Sequence, residues 1–170
     1  MQPPAAPGTY ALVLALDRPR RIAVGRLGTF DFPAGWYVYA GSALGPGGLA
    51  ARVARHLRRE KRLHWHVDYL LRYARVAEVW TRPGPERREC AWARAAAALP
   101  GAAIAVPRFG ASDCRCAGHL VYCPAQPAWP EVATALGAAR AFIAVSSSSF
   151  KGGKQAPLRA PAKRWKVSGQ

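Results

Sequence analysis

With 170 residues, 51% of them hydrophobic, the chain is long enough for one domain with a core of its own. Its 25 Lys and Arg against 9 Asp and Glu leave a formal charge of +16, which favours a polyanionic partner, nucleic acid first; a ribosome-associated or simply basic surface would give the same number, and charge says nothing about catalysis. No stretch approaches the ~18 apolar residues of a membrane span, and Met1 to Pro7 has neither the basic nor the apolar part of a leader, so a cytoplasmic protein with no membrane partner is expected.

Residues 9–16 set Tyr10, Leu12, Leu14 and Leu16 against Ala11, Val13 and Ala15, apolar on both sides, which predicts a central strand. Asp17 to Arg20 is a turn, Arg21 to Gly25 a short strand, Leu27 to Phe32 an excursion, and Pro33-Ala34-Gly35 a turn into the strand that begins at Trp36. An antiparallel meander of three strands is predicted. On the Trp36 strand, Tyr37, Tyr39 and Gly41 share one face. Gly45 to Gly48 break it, and Leu49, Val53 and Leu57 then mark a helix that carries Arg52, Arg55, His56 and Arg59 on an arc beside the apolar stripe.

His64 to Leu71 predicts a short helix with Trp65, Leu70 and Leu71 inward, Arg75 to Trp80 a further core strand, and Pro85 to Leu99 a helix opened by its proline. Short strands are predicted at 103–106 and 119–123. Glu131 to Val145 is a possible helical extension within 124–145, and 146–170, with six cations from Lys151 to Lys166 and no acid, reads as a disordered basic tail.

Within the predicted 85–99 helix, Glu89 shares a face with Trp92, Ala93 and Ala96, so its carboxylate emerges from the apolar side, where an unpaired charge is costly. Its partner would be a divalent cation such as Mg2+, which suits carboxylate oxygen, or the helix N-terminus and a nearby arginine. The four cysteines, three of them crowded at 114, 116 and 123, do not form a disulfide framework. Cys114, Cys116 and His119 could supply three zinc ligands, with Cys90 or Cys123 as a fourth; buried structural thiols in a polar loop are the commoner outcome. His64, His66 and Asp68 would splay on a helix, which argues against a metal trio and leaves phosphate contacts for the histidines.

In order along the chain, Gly8-Thr9-Tyr10, Tyr39-Ala40-Gly41, Arg52 and Glu89 resemble the hallmark residues of the GIY-YIG nuclease superfamily. Within it, YVYAGSA, the basic helix, HWHVDYLL and FGASDCRCAGHL are similar to the small stand-alone Uri-type branch, over residues 8–123. The resemblance implies an α+β fold, a small and mostly antiparallel sheet flanked by helices. It also implies a metal-dependent endonuclease acting on DNA with Mg2+ or Mn2+. Tyr10 would position or deprotonate the attacking water, Tyr39 would bond the water or phosphate, Arg52 would neutralise developing charge, and Glu89 would hold the metal. Gly41, Arg55, His56, Arg59, His64 and His66 would contact nucleic acid. Arg52 and the metal would be needed to lower a phenol's pKa of ~10. Segment 21–32 lies between the tyrosine motifs, and as a flap or edge pair it would leave the two key strands adjacent, with Tyr10, Tyr39, Arg52 and Glu89 on one concave patch. Two rival expectations are a non-catalytic nucleic-acid-binding module on the same fold and a zinc-containing RNA-processing factor.

Overall fold

Nine consecutive buried residues make Gly8–Leu16 (β1) the middle strand in a computed structural model that describes residues 2–141. The remaining strands are Arg20–Val24 (β2), Gly28–Phe32 (β3), Gly35–Ala43 (β4), Arg75–Pro83 (β5), Ala103–Ile104 (β6), Leu120–Cys123 (β7) and Ala139–Ala141 (β8). Six of them form one sheet in the order β6-β7-β4-β1-β5-β8, with every pairing antiparallel. Four helices flank it: Gly48–Leu57 (α1), His66–Leu70 (α2), Glu89–Ala97 (α3) and Trp129–Ala135 (α4). The fold is therefore α+β, as expected.

The predicted meander is not what forms. Among the described residues β2 and β3 pair only with each other, and β1 lies directly against β4, with Tyr10 opposite Gly41 and Leu12 opposite Tyr39. The cause is legible in burial: Ile22, Val24 and Phe32 are buried while Arg20, Arg21, Ala23, Thr29 and Asp31 are exposed. A ribbon with one apolar face cannot replace a strand buried on both faces. The hairpin instead folds as a flap over the face that carries Tyr10.

Two apolar layers sandwich the sheet. On one side Tyr10, Leu12, Leu14, Tyr37 and Tyr39 pack with Leu49 and Val53 of α1 and Val67 and Leu70 of α2. On the other, Ala11, Val13, Val38 and Ala40 pack with Trp92, Ala93 and Ala96 of α3 and Trp129 and Ala133 of α4. The alternation of large and small residues along β1 decides this: bulky side chains face the short helices, and alanine and valine admit the two tryptophans.

Three helix boundaries differ from the prediction. α1 ends at Leu57, where Arg58 turns to an extended conformation, so Arg59 lies past the helix expected to carry it. α3 starts at Glu89 rather than Pro85, because residues 84–88 cross the end of the sheet: the Gly84 amide bonds the Pro7 carbonyl at 2.9 Å, and the Arg88 amide bonds Thr9 Oγ1 at 3.2 Å. α4 ends at Ala135, well short of Val145, because Gly137 turns the chain at φ 72°, a left-handed C′ position that suits glycine. The chain then returns as β8 along β5. Segment 124–141 thus completes the main sheet and second core layer. The tail at 146–170 and the end of the extension at 142–145 lie outside the described residues. No described helix is long and apolar enough to cross a membrane.

If 124–141 is part of the core, Trp129→Ala, at a fully buried ring 6.1 Å from that of Trp92, should cost about 3–5 kcal/mol. Urea unfolding measures this. A loss below about 0.5 kcal/mol, in the range of an ordinary surface substitution, would make α4 peripheral.

Candidate functional site

Antiparallel pairing of β1 and β4 places Tyr10 directly across from Gly41, and the ring lies over that glycine. A Cβ added to Gly41 would come 2.5 Å from the Tyr10 hydroxyl. At Gly8 it would come 2.5 Å from the Arg82 carbonyl and 2.6 Å from Leu49 Cδ1. Both motif glycines thus make room for neighbours. Gly41 is buried beneath a tyrosine, and that is the role the structure shows for a residue expected at the nucleic-acid surface.

The Tyr10 hydroxyl meets His56 Nε2 at 2.8 Å, and His56 Nδ1 faces Asp68 Oδ1 at 3.4 Å. That second contact is too long for a good hydrogen bond, and Nδ1 has no other partner among the described residues. Burial, opposed by Asp68, lowers the His56 pKa, so the ring is neutral at pH 7. The carboxylate favours the proton on Nδ1, which leaves Nε2 to accept the phenol O–H. Asp68 is fully buried and also accepts the His64 and Trp65 amides, at 3.0 Å each, and Arg55 Nη1 at 3.0 Å. Burial alone would raise its pKa; His56, those two amides and Arg55 outweigh it and hold the carboxyl well below the usual range.

Tyr39 sits beside Tyr10, ring centroids 6.3 Å apart. Burial pushes Tyr10 up to about 12, with the Arg52 charge working against the rise, and burial followed by the neighbouring Tyr10 raises Tyr39 well above a free phenol. Among the described residues, then, Arg52 acts in the expected direction and burial wins. The two phenols are 1% and 5% exposed.

Arg52 stacks on Trp65, with the guanidinium carbon 4.0 Å from the ring centroid, and its Nη1 reaches the Ser42 carbonyl at 3.3 Å. The Ser42 hydroxyl, on the opposite face of β4, donates to Glu89 Oε2, while Arg87 Nε bonds Glu89 Oε1 at 2.9 Å and Arg87 also pairs with Asp113. Here the single concave patch needs correction. Tyr10, Tyr39, Arg52 and His56 converge on the α1 side, whereas Glu89 belongs to the α3 layer, because the side chains of residues 41 and 42 alternate across the sheet. The two groups meet only at the end of β4, where Ser42 touches both Arg52 and Glu89. The buried Glu89 carboxylate has its compensating arginine in Arg87, and the hydroxyl and carboxylate oxygens side by side are donors of the kind a hard divalent cation accepts.

Of the other expected contacts, His64 and Arg59 are exposed, and Arg55 is engaged by Asp68 and the Arg62 carbonyl. His66 Nδ1 accepts the Gly110 amide at 2.9 Å and is a loop anchor. A cleft lined by Arg59, Glu60, Lys61, Leu63, Leu71 and Arg72 lies past the C-terminal end of α1, away from the tyrosines.

Cys90, Cys114, Cys116 and His119 come together with one ligand atom from each, all within 4.8 Å of one another. Cys123 is elsewhere, buried in the α3 layer. Of the two fourth partners the sequence left open, Cys90 is the one that converges.

Three site residues escaped the sequence reading. Ser42 follows Gly41 at a strand end, Arg87 precedes Glu89 by two, and Asp68 was considered only with the histidines. The one signal for Asp68 was its place three residues after Trp65, where a carboxylate can return to the first amides of a helix.

Residues 9–140 match the family model described as domain of unknown function DUF123, and the chain belongs to that family. No match was found among curated proteins or among solved structures.

Asp68→Asn should cost about 3–5 kcal/mol at pH 7, since it leaves Arg55 and Lys61 facing a neutral group. The parent's extra stability is fully present above the unfolded pKa of about 4 and is lost as pH falls through the lower folded value. The gap between the two unfolding curves should therefore narrow on acidification. A gap independent of pH would show that the carboxylate charge is not what holds the network.

Proposed function

We propose that this DUF123 chain is a metal-dependent endonuclease of the GIY-YIG type, in the manner of its Uri-type branch, hydrolysing phosphodiester bonds in DNA. The observation that carries this reading is Ser42 at the end of β4, touched by Arg52 on its carbonyl and by Glu89 at its hydroxyl. A guanidinium suited to phosphate and a carboxylate suited to a hard cation flank one residue, and the hydrogen-bonded Tyr10 and His56 lie behind the guanidinium. Formal charge +16 and the exposed Arg58 and Arg59 just past α1 supply the attraction for a phosphate backbone.

Glu89, with the Ser42 hydroxyl beside it, would hold Mg2+ or Mn2+, which when bound supplies Lewis-acid stabilisation of a phosphoryl oxygen. Arg87, half exposed and shared with Asp113, neutralises Glu89 until then. Arg52, held flat against Trp65, donates to a non-bridging phosphate oxygen and opposes the charge that develops on it. Neutral His56 takes the Tyr10 proton when the phenol oxygen receives one from water, and Asp68 steadies the imidazolium so formed. Because His56 must be neutral and its pKa is lowered, the acid limb of the rate profile should lie below the 6.5 of an ordinary histidine.

The rival is a non-catalytic nucleic-acid-binding module, and a specific observation favours it: both phenols are sealed in the core, and Glu89 sits in the opposite layer with both oxygens satisfied. Two substitutions separate the readings. Glu89→Gln should abolish Mg2+-dependent cleavage of branched, single-stranded or duplex DNA, by about 100-fold or more, and leave binding and its salt dependence intact. Arg52→Ala should lower turnover and also flatten the slope of log affinity against log salt by about 0.9, one phosphate contact. Removing 146–170 should flatten it further if the lysines and arginines of that segment touch phosphate. Parent protein inert on every substrate with both metals would overturn the nuclease reading in favour of the binding module, and Glu89→Gln cutting at the parental rate would remove the catalytic assignment of Glu89.

A further inference from the structure

We propose that Cys90, Cys114, Cys116 and His119 bind one Zn2+ ion in a closed, tetrahedral Cys3His site that locks the 108–119 loop onto the first turn of α3. Four ligand atoms from three separate places in the fold, α3, the loop and the approach to β7, point at one spot. Zinc to sulfur and zinc to nitrogen bonds of about 2.3 and 2.05 Å at a tetrahedral angle put sulfur about 3.5 Å from nitrogen. The structure has Cys114 Sγ 3.4 Å and Cys90 Sγ 3.5 Å from His119 Nε2. Thiolate and imidazole are the donors zinc selects, and four protein ligands leave no open position, the mark of a structural site.

Neighbours are placed to support such a site. Arg108 adopts φ 64°, a conformation uncommon outside glycine, and its guanidinium bonds the carbonyls of Cys114 and Cys116 at 2.6 and 3.1 Å, which fixes the bend of the Cys-Arg-Cys segment. The His119 amide bonds the Phe109 carbonyl at 2.7 Å, and the His119 carbonyl accepts the Ala40 amide at 3.0 Å, so the ligand's backbone is tied to β4. Three thiolates and Zn2+ leave a net charge of −1, offset by the Arg108 guanidinium on the Cys114 and Cys116 carbonyls. The ion would also hold Asp113, one residue before Cys114, where it pairs with Arg87, so the zinc site braces the clamp on Glu89.

The full-length protein, purified under reducing conditions and loaded with zinc or cobalt, tests this. About one equivalent of zinc per chain is expected after desalting. The cobalt form should show the strong visible bands of tetrahedral Co2+ and a thiolate-to-cobalt charge-transfer band, readouts that need no variant and no activity. Cys114→Ser and Cys90→Ser should each weaken zinc binding by more than about tenfold and diminish the charge-transfer band, while Cys123→Ala leaves both unchanged. Retention of less than about one tenth of an equivalent, cobalt bound without a thiolate band, or loss of the band on Cys123→Ala but not on Cys90→Ser would overturn the assignment.

Discussion

The antiparallel contact between β1 and β4, with the Tyr10 ring laid over Gly41, is the constraint on which the rest of the molecule depends. It brings two tyrosines from separate strands into one layer. It also fixes α1, because Gly8 lets Leu49 approach the strand where any side chain would collide. From α1 follow the positions of Arg52 and His56, and from His56 the need for a buried partner. The flap at 20–32 lies outside this arrangement, and the two key strands pair as though it were not there.

Two buried carboxylates sit on either side of the sheet, and they are handled differently. Asp68 has cationic or amide donors on each oxygen, so its burial is fully compensated and ties α1 to α2. Glu89 has one hydroxyl and one half-exposed arginine, a looser compensation in which the arginine, though not the carboxylate, meets solvent at the end of the sheet. A charge that is firmly neutralised stabilises architecture, and one that is loosely neutralised is available for exchange. This difference in surroundings, more than residue type, sets the two apart as structural anchor and cation ligand in the proposed enzyme.

Loop 105–119 connects the layers. Phe109 packs with Tyr39 at 6.1 Å between ring centroids, the Gly110 amide donates to His66, and the cysteines that follow meet Cys90 on the far side. One excursion therefore touches the tyrosine layer and the helix that carries Glu89. A brace at its tip would restrain both halves of a site that is split by the sheet.

Strand and helix positions were largely legible in the sequence because burial imposes period two on β4 and period near four on α1, and the two-sided apolar run of β1 marks a central strand whatever its neighbours. The charge surplus and the candidate ligands Cys114, Cys116 and His119 were also visible as residue types, though not as a formed cluster. Only tertiary structure decided which strand pairs with β1, since a one-faced ribbon and a buried strand differ in what covers them and not in local pattern. Only it decided that α3 begins at Glu89, because the competing bonds come from Thr9 and Pro7, nearly eighty residues away in the chain. It also chose Cys90 over Cys123 and put Glu89 across the sheet from Tyr39. Periodicity reports which side of its own element a residue occupies; the side of the sheet on which that element packs is set by contacts between distant parts of the chain.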